Sequence, residues 1–312
     1  MKKYIIFSHK VDIDGLGSII LAKLAFGKEN VDYQLCMPGD INEKISKYLN
    51  NNELEKYNRI FVTDICMTEP LIGKIDLLNE VKNKITVWDH HMNIAKSFNK
   101  DYSWINLKFE NEKGLVCGTS MFYEYLLSEN LLKQNKALDE FVELTRQYDT
   151  WEWVTKYNNE KARDLTLLMD STSPDLYIEL VLQNLAKQKS RFNFTNIENI
   201  FIENKKKDIE QYVKKCIDNM QCRVVDGAKI GVIFAELYRN EMKPEIYKRK
   251  IDIDAVCIYK IQEGTASWRS ISKNFNVLPF AEKYGGNGHT QAAGSKIYAD
   301  DVSKIINILL KI

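Results

Sequence analysis

At 312 residues, 45% hydrophobic and 28% charged, the chain has an ordinary globular composition and the length for two domains of roughly 150 residues each, which excludes a disordered or fibrous class. Lys plus Arg number 44 and Asp plus Glu 43, a net charge of +1. No bulk field therefore draws the protein to a long duplex or an anionic membrane, and a nucleic-acid partner has to be short or locally bound. A small excess of basic residues falls after residue 222.

The six cysteines (Cys36, Cys66, Cys117, Cys216, Cys222, Cys257) are scattered with no CxxC pair. Neither a zinc ribbon nor a disulfide framework is spelled out, and reduced, mostly buried thiols in a cytoplasmic protein are expected. The opening MKKYIIFSHK holds a single short apolar run, 4–7, too brief for a signal-peptide core. No stretch approaches the ~20 apolar residues of a membrane helix, so no membrane partner is expected.

In chain order, the apolar runs YIIF (4–7), DYQLC (32–36), RIFV (59–62), KITVW (84–88) and SWINL (103–107) predict strands. Helical periodicity falls between them, at roughly 16–27, 41–50, 68–80 and 117–131. This alternation predicts a parallel sheet with helices on both faces. From about 136 to 222 the pattern is helical, through LDEFVELTRQYDTWEW and IENKKKDIEQYVKKCIDNM, with the lysines at 205–207 read as a solvated helix face or connector. A second α/β pattern follows in VVDGAKIGVIFA, IDAVCIYKI and TASWRSIS, with a terminal helix from about 300 to 311. Two α/β lobes joined by a helix are the simplest architecture.

Three predicted strands run into metal-capable side chains: YIIFS into His9, Asp12 and Asp14, IFVT into Asp64, and ITVW into Asp89, His90 and His91. One Asp after a strand reads equally as a helix N-cap or a turn residue. Three such endings at the carboxyl edge of one parallel sheet, where ligands of open α/β sheets bind, point instead to a single site. The fourth histidine, His289, lies among glycines.

Carboxylates with imidazoles and no thiolate suit Mn²⁺ or Mg²⁺, with Mn²⁺ favoured by imidazole and Fe or Co²⁺ as alternatives. Crowded carboxylates repel unless cations neutralise them, so two divalent ions are expected rather than one. Two ions roughly 3.5–4 Å apart activate water and clamp the oxygens of a phosphoryl displacement, which points to phosphoester hydrolysis. By spacing alone Asp149 reads as a cap or polar break. Gly15 and Gly17 are expected to permit a tight turn into the helix after the first motif.

The segment GGNGH (Gly285, Gly286, Gly288, His289) offers successive backbone N–H groups, as in glycine-rich turns that precede a helix and bind anions. Arg269 can fork onto a phosphate and Ser270 can add a hydroxyl donor. Tyr148, Trp151, Trp153 and Trp268 lie within or beside these motifs. Such rings can stack bases, although packing between lobes is the preferred reading for Trp151 and Trp153. Cys66, Met67 and Cys117 read as core neighbours of the motifs.

The segments SHKVDIDGLGS (8–18), VTDI (62–65), VWDHH (87–91) and QYDTW (147–151) resemble the four motifs of the DHH phosphoesterases. YGGNGHTQAAG (284–294) resembles the signature of their accessory domain, DHHA1. The block ALDEFVELTRQYDTWEW (137–153) is most similar to the oligoribonuclease group called nanoRNase B; type II pyrophosphatases carry a different accessory domain.

The resemblance implies an α/β fold with a parallel-sheet DHH catalytic domain over 1–189, a helical connector over 190–222 and a smaller α/β DHHA1 substrate-binding domain over 223–312. It implies that His9, Asp12 and Asp64 hold one ion while Asp14, Asp64, His90 and Asp149 hold the other, with Asp64 bridging and a nucleophilic hydroxide forming between them. Asp89 then orients a neighbouring histidine, and His91 faces the scissile phosphate as charge stabiliser or proton donor. His9 precedes Asp12 by three residues, where several relatives place four. The accessory lobe, through Arg269, Ser270, Gly285, Gly286, Gly288 and His289, would grip the end of a strand, so that cleft length caps substrate length.

The expected activity is a Mn²⁺-dependent exoribonuclease that releases 5′-mononucleotides from RNA fragments of about two to five residues. Its partners would be short single-stranded RNA or a dinucleotide, with a homodimer left open. The alternative is a phosphodiesterase of cyclic or linear dinucleotides, or a phosphatase of 3′,5′-bisphosphorylated nucleotides. A nucleotide-binding regulatory module with a dead site is disfavoured because every motif carboxylate is present. An inorganic pyrophosphatase is disfavoured by the GGNGH segment.

Overall fold

The structure, a computed structural model, describes residues 2–10, 12–95, 98–112 and 114–311. It divides into two units between Lys205 and Lys206.

The first unit is built on β1 (Tyr4–His9), β2 (Val31–Cys36), β3 (Arg59–Thr63), β4 (Ile85–Asp89) and β5 (Ile105–Leu107). All pair in parallel, in the order β2-β1-β3-β4-β5, and they are the five runs predicted as strands. The crossovers are α1 (Ile13–Phe26), α2 (Ile41–Asn50) and α3 (Glu69–Asp76) with the short α4 (Asn79–Lys82). The short α5 (Met92–Ala95) follows β4; then come the antiparallel pair β6 (Glu110–Asn111) and β7 (Gly114–Leu115), and α6 (Gly118–Ser128). A helical region completes the unit: α7 (Lys136–Asp149), α8 (Glu152–Thr155), α9 (Glu160–Asp170), α10 (Pro174–Lys187) and the start of α11 (Asn196–Asp218).

Strand alternation sorts the core onto two faces. Ile5, Phe7, Ile60, Val62, Ile85 and Val87 pack with Ile41 and Ile45 of α2 and Ile72 and Ile75 of α3. On the opposite face the fully buried Phe61 lies against the rings of Phe26, Trp88, Phe122 and Tyr125. Gly15 and Gly17 make no turn, because both lie inside α1. A Cβ on Gly15 would sit 2.1 Å from the His9 carbonyl oxygen, and one on Gly17 2.6 Å from Thr119 Oγ1. They are needed for close approach of α1 to the end of β1 and to α6.

The second unit holds the rest of α11 and the strands β8 (Gln221–Val225), β9 (Ala228–Phe234), β10 (Ala255–Lys260), β11 (Thr265–Ser270), β12 (Asn287–His289) and β13 (Ala292–Lys296). They form one sheet in the order β12-β13-β11-β10-β9-β8, parallel only at β9 and β10. Its helices are α12 (Arg239–Lys248), α13 (Leu278–Glu282) and α14 (Ala299–Leu310). One sheet face packs Ala228, Ile230, Ala255, Cys257, Ala266, Trp268 and Ala293 against Val277 and Ala281.

The glycine-rich segment corrects one expectation. It precedes no helix; it follows α13 and becomes the edge strand β12. A Cβ on Gly286 would lie 2.1 Å from the Gly294 carbonyl oxygen, and Gly288 has φ +150° with Ala293 Cα 2.5 Å from its would-be Cβ. Backbone crowding explains these glycines, and no helix N-terminus stands behind them. Among the described residues no helix is long and apolar enough to cross a membrane.

Phe61→Ala removes the centre of the aromatic cluster and is expected to cost about 3–5 kcal/mol. A urea titration reads this as a lower midpoint with unchanged slope; a loss under about 1 kcal/mol would mean the cluster is not the core of that face.

Candidate metal centre

The sheet order reverses direction between β1 and β3, which opens a crevice beyond their carboxyl ends. Asp64 follows β3 directly with φ +58°, a left-handed conformation that non-glycine residues seldom adopt. Its backbone N–H donates to the Trp88 carbonyl at 2.9 Å, and its side chain is buried.

Asp14, in the first turn of α1, is fully buried. Its two oxygens accept from the backbone N–H groups of Gly118 and Thr119, each at 2.7 Å. The first turn of α6 thus orients this carboxylate through two backbone hydrogen bonds. A Cβ on Gly118 would sit 2.7 Å from Asp64 Cβ, so only glycine lets α6 come this near. Sequence reasoning missed Gly118 and Thr119; the one local signal was a Gly-Thr-Ser opening to a predicted helix.

The remaining side chains close around these two. His9 Nδ1 lies 2.6 Å from Asp12 Oδ2 and 3.5 Å from Asp64 Oδ2. Asp12 also caps α1, accepting from Gly15 N–H at 2.9 Å. His90 Nε2 lies 3.2 Å from Asp64 Oδ1, 3.5 Å from Asp149 Oδ2 and 3.8 Å from Asp14 Oδ2. Asp149, the last residue of α7, therefore joins the strand-end groups across a long stretch of sequence. Asp89 Oδ1 accepts from His91 Nδ1 at 2.7 Å and from the backbone N–H groups of His90 and His91 at 2.7 and 3.2 Å. His91 is half-exposed. Three sets, His9 with Asp12 and Asp64, Asp14 with His90 and Asp149, and Asp64 with His90 and His91, each bring ligand atoms within 4.8 Å of one another.

In the second unit, Arg269 pairs across the sheet with Ala292, and Ala292 with His289. Directly paired residues share a face, so Arg269 and His289 point the same way. Ser270 does not join them. Alternation turns it to the other face, where it is fully buried and donates to the Ser272 carbonyl at 2.9 Å. Gly285, Gly286 and Gly288 lie at and beside β12, on the strand that carries His289. Arg239, which sequence reasoning missed, donates to Ser267 Oγ at 3.1 Å on the Arg269 face. Neither guanidinium has a carboxylate partner among the described residues. Burial, then the charge of Arg239, lowers the Arg269 pKa.

Residues 3–149 match the DHH family, N-terminal domain, a span that ends on Asp149 itself. Over 303 residues the chain is 29% identical to "Oligoribonuclease NrnB" of Bacillus subtilis (strain 168), covering 97% of this chain and 74% of that protein. The stretch over 3–149 is thus similar to the DHH family's N-terminal domain. Two solved structures share the fold of the chain. An exonuclease RecJ bound to manganese is 14% identical, with 97% of this chain and 88% of that chain covered at a TM-score of 0.53. A pGpG-specific phosphodiesterase, PggH, from Vibrio cholerae is 14% identical, with 99% and 98% covered at 0.50.

The electrostatics of this centre are those of a site that could hold cations. Burial, then the charge of Asp14, pushes Asp64 well above the usual carboxylate range. The same two causes push Asp149 up to about 8. His9, hydrogen-bonded to Asp12 and 3.5 Å from Asp64 Oδ2, is raised to about 10. Burial, the largest single cause, opposes ionisation of Asp12, but the hydrogen bond and charge of His9 with the Gly15 N–H and Asp64 together outweigh it and lower its pKa. Oδ2 of Asp64 and of Asp149 are buried without a hydrogen-bond partner. Buried, unpaired carboxylate oxygens beside imidazole nitrogens and no thiolate fit hard or borderline divalent ions.

Metal uptake has to displace the protons that the bare centre retains on His9 and Asp149. Since both pKa values are raised, apparent Mn²⁺ affinity is expected to tighten as pH rises from 6 to 8, with net proton release. Calorimetric titration in buffers of different ionisation enthalpy checks this; pH-independent binding without proton release would contradict it.

Proposed function

We propose that this protein is a DHH-family two-metal phosphodiesterase, an exoribonuclease that releases 5′-mononucleotides from very short RNA. The observation that carries the reading is the convergence of His9, Asp12, Asp14, Asp64, His90 and Asp149 in one crevice, with His91 at its exposed edge. In this reading His9, Asp12 and Asp64 hold one ion, and Asp14, Asp64, His90 and Asp149 the other. Mn²⁺ is favoured by the mixture of carboxylate and imidazole, with Mg²⁺ or Co²⁺ as alternatives. When bound, such a pair of ions activates water and neutralises phosphate charge.

The chain's own groups supply the rest. Asp89 accepts the Nδ1 proton of His91, which fixes the tautomer and leaves Nε2 free to meet a phosphate oxygen. In its protonated form that nitrogen stabilises developing charge and can donate to the leaving oxygen. Arg269 and Arg239, lacking carboxylate partners, suit the phosphate of a held strand end, with His289 on the same face. The net charge of +1 supports a short substrate, because a long polymer needs a basic track. The likeness to an oligoribonuclease over nearly the whole chain supports RNA as the polymer.

The test is a Mn²⁺ time course on 5′- and 3′-labelled RNAs from two to about ten residues, a range over which a closed cleft caps length but a basic track does not. Stepwise mononucleotide release confined to the short members is expected. Cleavage of the dimer alone would move the assignment to a dinucleotide phosphodiesterase. His91→Ala is expected to lower kcat by about 10²–10⁴-fold with Mn²⁺ affinity retained. Asp64→Ala is expected to abolish hydrolysis, and full activity in that variant would overturn the reading.

A further inference from the structure

We infer that Trp151 is a base-stacking platform beside the metal centre, taking the nucleobase next to the scissile phosphate without regard to its identity. The inference deepens the proposed function and rests on it for the choice of substrate. Three observations carry it.

The first is position. Trp151 follows Asp149 by two residues, so its Cα lies within about 7.6 Å of the Asp149 Cα. The Asp149 carboxylate itself approaches His90 Nε2 to 3.5 Å. An indole rooted there is close enough along the chain to stand beside a nucleotide held at the centre.

The second is exposure against chemistry. Trp151 is 47% exposed, the most solvent-open of the rings singled out near the motifs of this unit, with Val154 and Tyr157 also exposed beyond it. A large apolar ring left in water gains little stability for the fold.

The third is strain and bracing. Trp151 has φ +62°, a left-handed backbone that is an outlier for a bulky residue. Its carbonyl is tied to the N–H groups of Val154 and Thr155, each at 3.3 Å, and to Thr155 Oγ1 at 3.2 Å. The ring meets Trp153 edge-on at 5.6 Å, and Trp153 stacks on Tyr148 at 5.8 Å. The protein thus holds a strained backbone under a braced, half-exposed indole. Packing on Trp153 within this unit does not account for that cost. Stacking does, since every base has a π-face and sequence-tolerant hydrolysis needs a grip of this kind.

The experiment compares wild type with Trp151→Ala, Trp151→Phe and Trp151→Gly. On a dinucleotide, Trp151→Ala is expected to raise KM about tenfold or more with kcat within about twofold, and Trp151→Phe to recover most of the loss. On an analogue abasic at one position, wild type and Trp151→Ala should behave alike. Trp151→Gly relieves the left-handed strain, so its melting temperature should equal or exceed that of wild type while KM rises. An unchanged KM in Trp151→Ala, an equal loss on the abasic analogue, or a fall of several degrees in Trp151→Gly would overturn the inference. Tryptophan fluorescence separates this result from failure of the functional reading. Should wild type hydrolyse no RNA, quenching by an added dinucleotide that is lost in Trp151→Phe still supports stacking, and identical quenching in both proteins contradicts it.

Discussion

The first unit is organised around one electrostatic constraint: several carboxylates must stand together, shielded from water, at the open edge of a parallel sheet. Asp14, Asp64 and Asp89 are buried, and Asp12 and Asp149 border them. Such a cluster is unfavourable in a bare protein. The fold offsets it locally where it can. The start of α6 donates two backbone N–H groups to Asp14, the backbone around the DHH triplet donates to Asp89, and His9 retains a proton between Asp12 and Asp64. Oδ2 of Asp64, Asp89 and Asp149 still lack a hydrogen bond, and Asp64 and Asp149 belong to the groups that could hold a metal ion.

The same constraint explains features that otherwise look incidental. Gly118 is required because α6 has to bring its N–H groups within reach of Asp14 while passing against Asp64. Gly15 and Gly17 are required because α1 carries Asp12 and Asp14 close to the end of β1 and must also meet α6. The left-handed backbone at Asp64 turns its carboxylate into the crevice when the strand ends. Core packing on the two sheet faces holds these strand ends in register, and the long helix α7 supplies Asp149 from outside the sheet.

Much of this was legible in the sequence because the signals were local and periodic. Apolar runs marked all five parallel strands, and His9, Asp64 and the Asp89–His91 triplet fell where three of those runs ended. The contribution of Asp149 was not legible from spacing, since it depends on α7 packing back against α6; only the resemblance to the DHH phosphoesterases pointed there. Gly118, Thr119 and Arg239 were missed because their roles are backbone donation, close approach and pairing with a distant strand, none of which has a sequence period. Ser270 failed for the opposite reason. It sits beside Arg269 in the chain, but alternation along β11 sends neighbours to opposite faces. The GGNGH segment forms an edge strand and not the expected turn before a helix, because crowding between strands also selects glycine.

The most direct test of the central claim is the stoichiometry and magnetic coupling of bound Mn²⁺, measured by titration and electron paramagnetic resonance on the purified protein. The account predicts two ions per chain with the exchange coupling of a pair roughly 3.5–4 Å apart, and loss of that coupling in Asp64→Asn. A single ion per chain, or two ions that give uncoupled signals in the wild type, would contradict it.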